Sequence, residues 1–263
     1  MKTIGVIGAG NIGGAVARGL VKHGGIDASR MIISRRKQHL LNEWKEEGYR
    51  VTSDNLELAE QSDVVILAVL PGQAEEVVSA IAPALEKENK LLLSVIAAVS
   101  IEDIRKWSGM KNPVLRVIPN IAVEYGESMT CLAGDDREAL KTAEELFDRV
   151  GSTLVIQERL MPAATVLAAC GIAFFLRYVR AASQGGIQIG FHAEEAGRIA
   201  AQTARGAAQI LLSTGNHPEQ EIDKVTTPMG FTIAGLNEME HYGVSSALIK
   251  GIITSHAGII GSK

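Results

Sequence analysis

The length, composition and charge of the chain exclude several classes of protein. Its 263 residues are long for one hydrophobic core and sufficient for two, and its hydrophobic (46%) and charged (21%) fractions are those of a soluble globular protein. A formal net charge of -4 provides no basic field, which argues against a nucleic-acid partner.

The cysteines and the apolar segments indicate a cytoplasmic protein. Cys131 and Cys170 lie far apart and form no CxxC pair, so we expect two buried, reduced thiols. The first seven residues already follow a strand pattern, which leaves no room for a signal peptide. The uncharged run from Leu160 to Leu176 is short for a membrane span, contains Pro162 and is rich in alanine, so we expect no membrane partner.

The first half of the chain alternates strand-like and helix-like segments. Apolar runs typical of buried strands are KTIGVI, MIIS, SDVVILAV, KLLLSVI and VLRVI. Helical patterns between them include NIGGAVARGLVKHG and PGQAEEVVSAIAPALEK, and two further strands, SMTCLAG and STLVIQ, flank the helix REALKTAEELFDRVG. This alternation predicts an α/β fold with a parallel, doubly wound sheet of the Rossmann type.

From Glu158 onward, helical patterns replace the strands. They cover residues 160–184, 192–214, 230–241 and 244–256. We therefore predict an N-terminal Rossmann-type NADP-binding domain over residues 1–157 and a C-terminal all-helical domain over residues 158–263. A helical domain so poor in aromatic residues has little with which to build its own core, so we expect a homodimer or a higher homo-oligomer through these helices.

A glycine-rich turn between the first strand and the first helix predicts a dinucleotide site. Gly8, Gly10 and Gly13 form a G-x-G-x-x-G motif in the strand–turn–helix context that the motif requires. Gly8 permits the tight turn, Gly10 lets the main chain approach a pyrophosphate, and Gly13 allows close packing of helix and strand. Asn11 and Ile12, inside the motif, are assigned to cofactor binding with them.

The end of the second strand indicates which cofactor is bound. An NAD site usually presents an acidic residue here to the ribose hydroxyls, whereas this chain has Ser34, Arg35 and Arg36. A hydroxyl and guanidinium groups suit a 2′-phosphate, which predicts NADPH, with NADH a weaker alternative. A solvated basic loop is the other interpretation.

Two later strand ends complete the predicted site. Ala68, Val69 and Pro71 lie at or just after the end of the strand DVVILAV and are placed to pass beneath the ribose and nicotinamide. Asn120 follows another strand and is the most suitable polar side chain near the hydride, so we assign it to substrate binding. As a residue after Pro119 it also suits a simple turn.

Missing residue types narrow the chemistry. The six histidines lack metal-ligand spacing, so we expect no metal site, and no G-x-S-x-G elbow occurs. Residues 158–223 contain no lysine that could protonate an alkoxide. A protonated cyclic imine accepts hydride without a strong general acid, so these absences favour reduction of a C=N bond.

Residues 225–236, VTTPMGFTIAGL, form a pattern that opens a helix. Thr226 or Thr227 can cap it, and Pro228 suits the first helical position. The free amides that follow attract anions without a cation, which makes this stretch a candidate for binding a substrate carboxylate.

With these residues assembled, the chain resembles the 1-pyrroline-5-carboxylate reductase family, in a divergent branch. The resemblance covers nearly all of the chain and is carried by VIGAGNIGGAVARGL, DVVILAVLPGQ, RVIPNIAVEYGESMT and HPEQEIDKVTTPMGFTIAGLNEME. It implies NADPH-dependent reduction of 1-pyrroline-5-carboxylate to L-proline, the last step of proline biosynthesis, by a dimer or larger assembly with interlocked helical domains.

The resemblance also implies roles for individual residues. Asn55 joins Ser34 and Arg35 on the adenosine-phosphate side of the cofactor. The substrate loop consists of Thr226, Thr227, Pro228, Gly230 and Thr232. The Thr232 hydroxyl is expected to bond the ring nitrogen and is the residue assigned to catalysis.

The chain departs from the family pattern at three places. Leu70 stands where the family has lysine, and residues 168–174 read AACGIAF where the family reads SGSGPAY. In the substrate loop, Met229 replaces a glycine and Phe231 a threonine. Two alternatives therefore remain: a reductase of another cyclic imine or a keto acid, and a non-catalytic NADP-binding regulatory protein on the same scaffold.

Overall fold

The computed structural model describes residues 2–87 and 90–261. The chain divides into two compact units: residues 1–170 together with residues 256–263, and residues 171–255. The segment 158–170 packs within the first unit, since Met161 and Ala164 contact a cluster formed by Ile118, Cys131 and Ala133. The domain boundary after Gln157 stays a prediction.

One eight-stranded sheet forms the centre of the first unit. The strands are β1 (Ile4–Ile7), β2 (Met31–Ser34), β3 (Arg50–Thr52), β4 (Val64–Leu67), β5 (Leu91–Ser94), β6 (Val114–Ile118), β7 (Ser128–Ala133) and β8 (Gly151–Val155). Their order is β3-β2-β1-β4-β5-β6-β7-β8, and every neighbouring pair is parallel except β6 with β7. The sheet is therefore Rossmann-like and predominantly parallel, as the strand–helix alternation predicts.

Helices cover both faces of this sheet. Those of the first unit are α1 (Asn11–Lys22), α2 (Asn42–Glu46), α3 (Asn55–Gln61), α4 (Ala74–Leu85), α5 (Ile101–Ser108), α6 (Arg137–Phe147) and α7 (Met161–Ala164), the last continued by a π-helical turn, Thr165–Cys170. On one face, α1, α2 and α6 pack over strand residues such as Val6 and Leu115. On the other, α3, α4 and α5 pack over Leu67 and Leu92.

The antiparallel strand β7 corrects the expectation of an all-parallel sheet. Only residues 119–127 connect β6 to β7, and they contain a short 3₁₀ turn, Ile121–Tyr125. A parallel return needs a crossover of about a dozen residues or more, so this connection reverses the chain direction. The short elements β3, α2, α3 and α5 also fall outside the segments predicted from the sequence.

The second unit is helical, as predicted. It contains α8 (Gly171–Gln188), α9 (Ala193–Thr214), α10 (Pro218–Val225) and α11 (Phe231–His241), and α12 (Val244–Gly261) begins there. Among the described residues, two helices are long and apolar enough to cross a membrane by length and composition alone, residues 158–188 and Val244–Gly261. Few of their residues are buried within one chain, so their apolar faces need another cover.

A buried arginine ties the sheet to the segment after β8. Arg116, in the middle of β6, is 4% exposed, and its Nη1 lies 3.7 Å from Glu158 Oε1. Its Nε and Nη2 are buried without a hydrogen-bond partner. Burial lowers the pKa of the guanidinium and Glu158 opposes this shift. The carboxylate also accepts the amide of Ile101 at 2.8 Å, so one side chain compensates a buried charge and caps α5.

Replacement of Glu158 by glutamine tests this ion pair. Glutamine keeps an acceptor for the Ile101 amide but removes the charge that compensates Arg116, so we expect E158Q to lower the free energy of unfolding by about 1–3 kcal/mol. Urea denaturation at fixed protein concentration measures the change.

The matched control is Glu60→Gln, which breaks the exposed Glu60–Lys87 pair (2.9 Å). We expect this control to cost less than about 0.5 kcal/mol because exposed ion pairs contribute little. Equal destabilisation by the two variants would contradict a special role for Glu158.

Candidate active site

The glycine loop lies against the end of β4. Gly8 follows β1 with a φ of +94°, and a Cβ on it would lie 2.7 Å from the main-chain oxygen of Ala68. A Cβ on Gly13 would collide with the main chain of Gly8 and lie 2.9 Å from the Ala68 Cβ. Both glycines are therefore required by close packing, as the motif predicts.

Gly10 has the opposite surroundings. A Cβ on Gly10 would meet nothing within 4 Å, so the main chain here is open to a ligand. Gly10 is the N-cap of α1, makes no side-chain cap, and is followed by a first turn without an acidic residue. The helix start thus offers free amides and a positive dipole end to an anion, which fits a pyrophosphate.

An open cleft of about 380 Å³ borders this helix start. Its lining residues are Ala9, Gly10, Asn11, Gly14, Ala15, Arg18, Arg35, Glu43, Trp44, Ile121, Glu124 and Tyr125. The predicted residues Gly10, Asn11 and Arg35 therefore lie together at one cleft. Arg36 is not among its lining residues.

Arg18 and Trp44 in this cleft escaped the sequence analysis. The Arg18 guanidinium lies over the Trp44 ring at 4.3 Å and bonds Glu43 (2.7 Å) and Glu47 (3.0 Å). The hydrogen bond to Glu47 raises the pKa of Arg18. With both carboxylates engaged, Arg18 orders the wall of the cleft. No motif indicates this role, because the partners of Arg18 lie in α2 and at the residue that follows it.

The end of β2 meets the start of α3. Ser34 is buried and its hydroxyl donates to Asn55 Oδ1 at 2.5 Å, which brings together two residues assigned to the cofactor phosphate. The start of α3 is already occupied, because the Asp54 carboxylate accepts the amides of Leu56 and Glu57. Arg35 thus remains the cationic group at this corner that lines the open cleft.

The segment after β4 forms another part of the same sheet edge. The Ala68 amide donates to the Ile7 carbonyl at 2.8 Å. Val69 packs against the core on the face of the sheet that α3, α4 and α5 cover. Pro71 begins a 3₁₀ turn that leads into α4. Leu70, where the family has lysine, is 71% exposed. Because β1 and β4 are parallel neighbours, these residues and the glycine loop share the edge at which such sheets bind ligands.

Asn120 lies just after the end of β6, and both polar atoms of its side chain have a hydrogen-bond partner. Its side chain is buried, with Oδ1 accepting the Ala122 amide at 2.9 Å and Nδ2 donating to the Ala168 carbonyl at 3.1 Å. Its main-chain amide donates to Ser128 Oγ at 3.2 Å. These contacts combine the predicted turn role with a long-range bond that the sequence did not reveal.

The turn before α11 differs from the helix start that the sequence predicts. Thr226 ends α10, Pro228 precedes the next helix, and α11 begins at Phe231 with Gly230 as its N-cap. The Gly230 amide donates to the Thr227 carbonyl at 2.9 Å, and Met229 has a φ of +58°. Pro at the second position and a positive φ at the third define a type II turn.

This geometry leaves the start of α11 open. Gly230 provides no side-chain cap and the first turn has no acidic residue. The amides of Phe231 and Thr232 therefore have no partner within the helix. Met229 and Phe231 are fully exposed beside them. The anion-binding expectation thus keeps its physical basis, although the capping expectation for Thr226, Thr227 and Pro228 is wrong.

The cysteines and the potential metal-binding side chains add little to the chemistry of the site. Both cysteines are free. Cys131 is buried, which raises the pKa of its thiol, whereas Cys170 is only half-buried. Across the described ranges, no three His, Cys, Asp or Glu side chains gather in a way that could hold a metal ion.

Two family models match the chain. The model for pyrroline-5-carboxylate reductase dimerisation matches residues 158–258, and the model for coenzyme F420-dependent NADP oxidoreductase matches residues 3–98.

Individual relatives match over almost the whole chain. Pyrroline-5-carboxylate reductase 1 of Dictyostelium discoideum is 45% identical over 96% of this chain, which spans only 48% of that relative. Pyrroline-5-carboxylate reductase 2 of the same organism is 43% identical over 97% of this chain and 91% of the relative. The Methanosarcina acetivorans enzyme is 34% identical over 95% and 94%.

Solved structures share the fold. A pyrroline-5-carboxylate reductase from Coxiella burnetii superimposes with a TM-score of 0.89 at 27% identity, covering 99% of this chain and 98% of the other. A pyrroline carboxylate reductase from Plasmodium falciparum with NADP bound gives a TM-score of 0.88 at 23% identity, with coverages of 98% and 97%.

Replacement of Arg35 by alanine tests the predicted phosphate contact. Loss of a charge-assisted bond to the 2′-phosphate should weaken NADPH binding by about 10- to 100-fold. NADH lacks this phosphate, so its affinity should change by less than about twofold. Isothermal titration of both cofactors measures the two constants.

Arg36→Ala is the matched control, since Arg36 is the neighbouring residue outside the cleft lining. A loss of NADPH affinity in R36A as large as in R35A would indicate a diffuse basic loop rather than a phosphate ligand.

Proposed function

The chain belongs to the pyrroline-5-carboxylate reductase family, and from this premise we propose that it reduces 1-pyrroline-5-carboxylate to L-proline with NADPH. It is an oxidoreductase that acts on a C=N bond. The observation that carries the proposal is the 43% identity to a named reductase over 91% of that relative's length. The absence of lysine from residues 158–223 and the open start of α11 agree with it, because a protonated imine accepts hydride without a strong general acid while its carboxylate needs an anion site.

The residues of the glycine loop and the neighbouring strand ends fit NADPH. The pyrophosphate would meet the amides at the start of α1, where Gly10 leaves open space. Ser34, Arg35 and Asn55 would hold the 2′-phosphate side, and Ala68, Val69 and Pro71 would support the ribose and nicotinamide. When bound, NADPH supplies the hydride. The chain's own contribution is orientation and electrostatics.

The turn before α11 is the proposed substrate site. The carboxylate would accept bonds from the amides after Gly230, where the helix dipole favours negative charge. The Thr232 hydroxyl would bond the ring nitrogen and orient the C=N bond for attack. Since no side chain in this turn carries a positive charge, capture of the carboxylate rests on the main chain.

Homo-oligomerisation is supported by the match of residues 158–258 to a dimerisation model. We propose that the exposed apolar faces of the helices in this range pair with those of a second copy, which explains their exposure in one chain better than a membrane does. A cytoplasmic location stays a prediction.

The substrate turn also supports a second candidate function, reduction of a different cyclic imine. Met229 retains a left-handed conformation that costs a non-glycine residue roughly 1–2 kcal/mol. Its side chain and that of Phe231 are fully exposed beside the proposed carboxylate site. Two bulky apolar groups at this position can select the size of the substrate ring.

Replacement of Thr232 by alanine tests the catalytic assignment. Loss of a hydroxyl bond to the ring nitrogen should lower kcat/KM for 1-pyrroline-5-carboxylate by about 10- to 100-fold, followed by NADPH absorbance. Thr232→Ser keeps the hydroxyl and should retain activity within about threefold.

If the unsubstituted, NADPH-bound protein consumed no NADPH with 1-pyrroline-5-carboxylate, the proposed function would fail. A T232A variant with full activity would instead remove only the role of this hydroxyl.

Replacement of Met229 by glycine and Phe231 by threonine tests substrate selection. Glycine adopts the φ of +58° without strain, so the turn should persist while its bulk disappears. We expect the double variant to gain on a six-membered cyclic imine carboxylate relative to the five-membered one, by about threefold or more in kcat/KM. An unchanged ratio would show that these side chains do not select the ring.

A further inference from the structure

The second half of β6 and the residues just beyond it contact the segment 158–170 from one face. Arg116 pairs with Glu158, Ile118 shares a cluster with Met161, and Asn120, just beyond the strand, donates to the Ala168 carbonyl. Residues two apart on a strand lie on the same face. Arg116, Ile118 and Asn120 therefore form a continuous contact surface for this segment.

At the Asn120 end of this contact surface lies an unusual helical turn. Residues Thr165–Cys170 form a π-helical turn between α7 and α8. The Thr165 hydroxyl donates to the Met161 carbonyl at 2.8 Å, and the Ala168 carbonyl accepts from Asn120 Nδ2. π-Helical turns are rare in proteins, and those that occur are often found at functional sites. This one accepts a hydrogen bond from a side chain just beyond β6.

The contacts of Asn120 leave its amide group little freedom. Oδ1 is held by the Ala122 amide and Nδ2 by Ala168, while the main-chain amide is held by Ser128. Asn120 is buried, with an exposed fraction of 5%. A side chain fixed at both ends cannot turn toward a substrate without breaking these bonds.

The contact between Asn120 and Ala168 lies at the edge of the sheet where ligands bind. β6 runs parallel to β5, and β5, β4 and β1 are parallel neighbours, so Asn120 lies at the same edge as Gly8 and Ala68. Ligands of open α/β sheets bind at that edge.

We propose that Asn120 is a positioning residue, which clamps the π-helical turn Thr165–Cys170 at the ligand edge of the sheet and thereby fixes one wall of the reaction end of the site. The proposal rests on the reductase function argued above. It replaces the sequence-based expectation that Asn120 binds the substrate.

Asn120→Ser is the main test. Serine is also a good N-cap and can accept the Ala122 amide, but it is too short to reach Ala168. In the NADPH-bound protein, loss of one bond should speed hydrogen exchange of the amides in residues 165–170 by about tenfold. It should lower kcat by about tenfold or more and change KM for 1-pyrroline-5-carboxylate by less than about threefold.

Ser128→Ala is the matched control. It removes the hydroxyl that accepts the Asn120 main-chain amide but leaves the side-chain clamp intact. Exchange of residues 165–170 should stay within about twofold of the unsubstituted protein. Asn120→Asp, which keeps the cap and faces the Ala168 carbonyl with a second acceptor, should reproduce the effects of N120S.

Unchanged exchange of residues 165–170 in N120S and N120D overturns the clamp. A loss of activity confined to KM overturns it as well, because that pattern belongs to a residue that binds substrate. If the unsubstituted protein fails to turn over 1-pyrroline-5-carboxylate, the proposed function fails, whereas the exchange measurement still decides whether Asn120 holds the turn.

Discussion

The close packing of the glycine loop against the end of β4 is the contact on which the nucleotide site depends. Gly8 and Gly13 both lie so close to Ala68 that a Cβ on either would come within 3 Å of it and push the loop away from the sheet. Because the loop is held there, α1 begins with its free amides at the sheet edge and Gly10 stays open. The small side chain of Ala68 contributes to this packing, because its Cβ lies against Gly13.

The helices differ in how the free amides at their N-termini are capped. At the start of α3, α5, α6 and α10 the N-cap side chain accepts a main-chain amide; these side chains are Asp54, Ser100, Asp136 and His217. By contrast, α1 and α11 begin at glycines with extended backbone, without a side-chain cap and without an acidic residue in the first turn. These are the two starts at which the anions of cofactor and substrate are proposed to bind. At these two starts the amides remain available to a ligand.

Local sequence specified the strand–helix alternation and the glycine loop, because continuous apolar runs and fixed glycine spacing carry those signals. It could not specify the direction of β7, since the same run suits either orientation and only the short connection decides. Pro228 fits a helix start and a turn equally well, and the positive φ of Met229 is unexpected where glycine is absent. The orientation of Asn120 depends on Ala168, 48 residues away, a distance that no local pattern spans.

The helical unit has a consequence for how the protein reaches its final state. In the described part of the chain, α10, α11 and α12 bury no residue, and α12 exposes Leu248, Ile249 and Ile253. Helices with so little burial gain most of their stability from whatever covers them. If a second copy is that cover, the last step of folding is a collision between two chains. Its rate then rises with protein concentration, and newly made chains at low abundance wait longer with apolar surfaces open to other proteins.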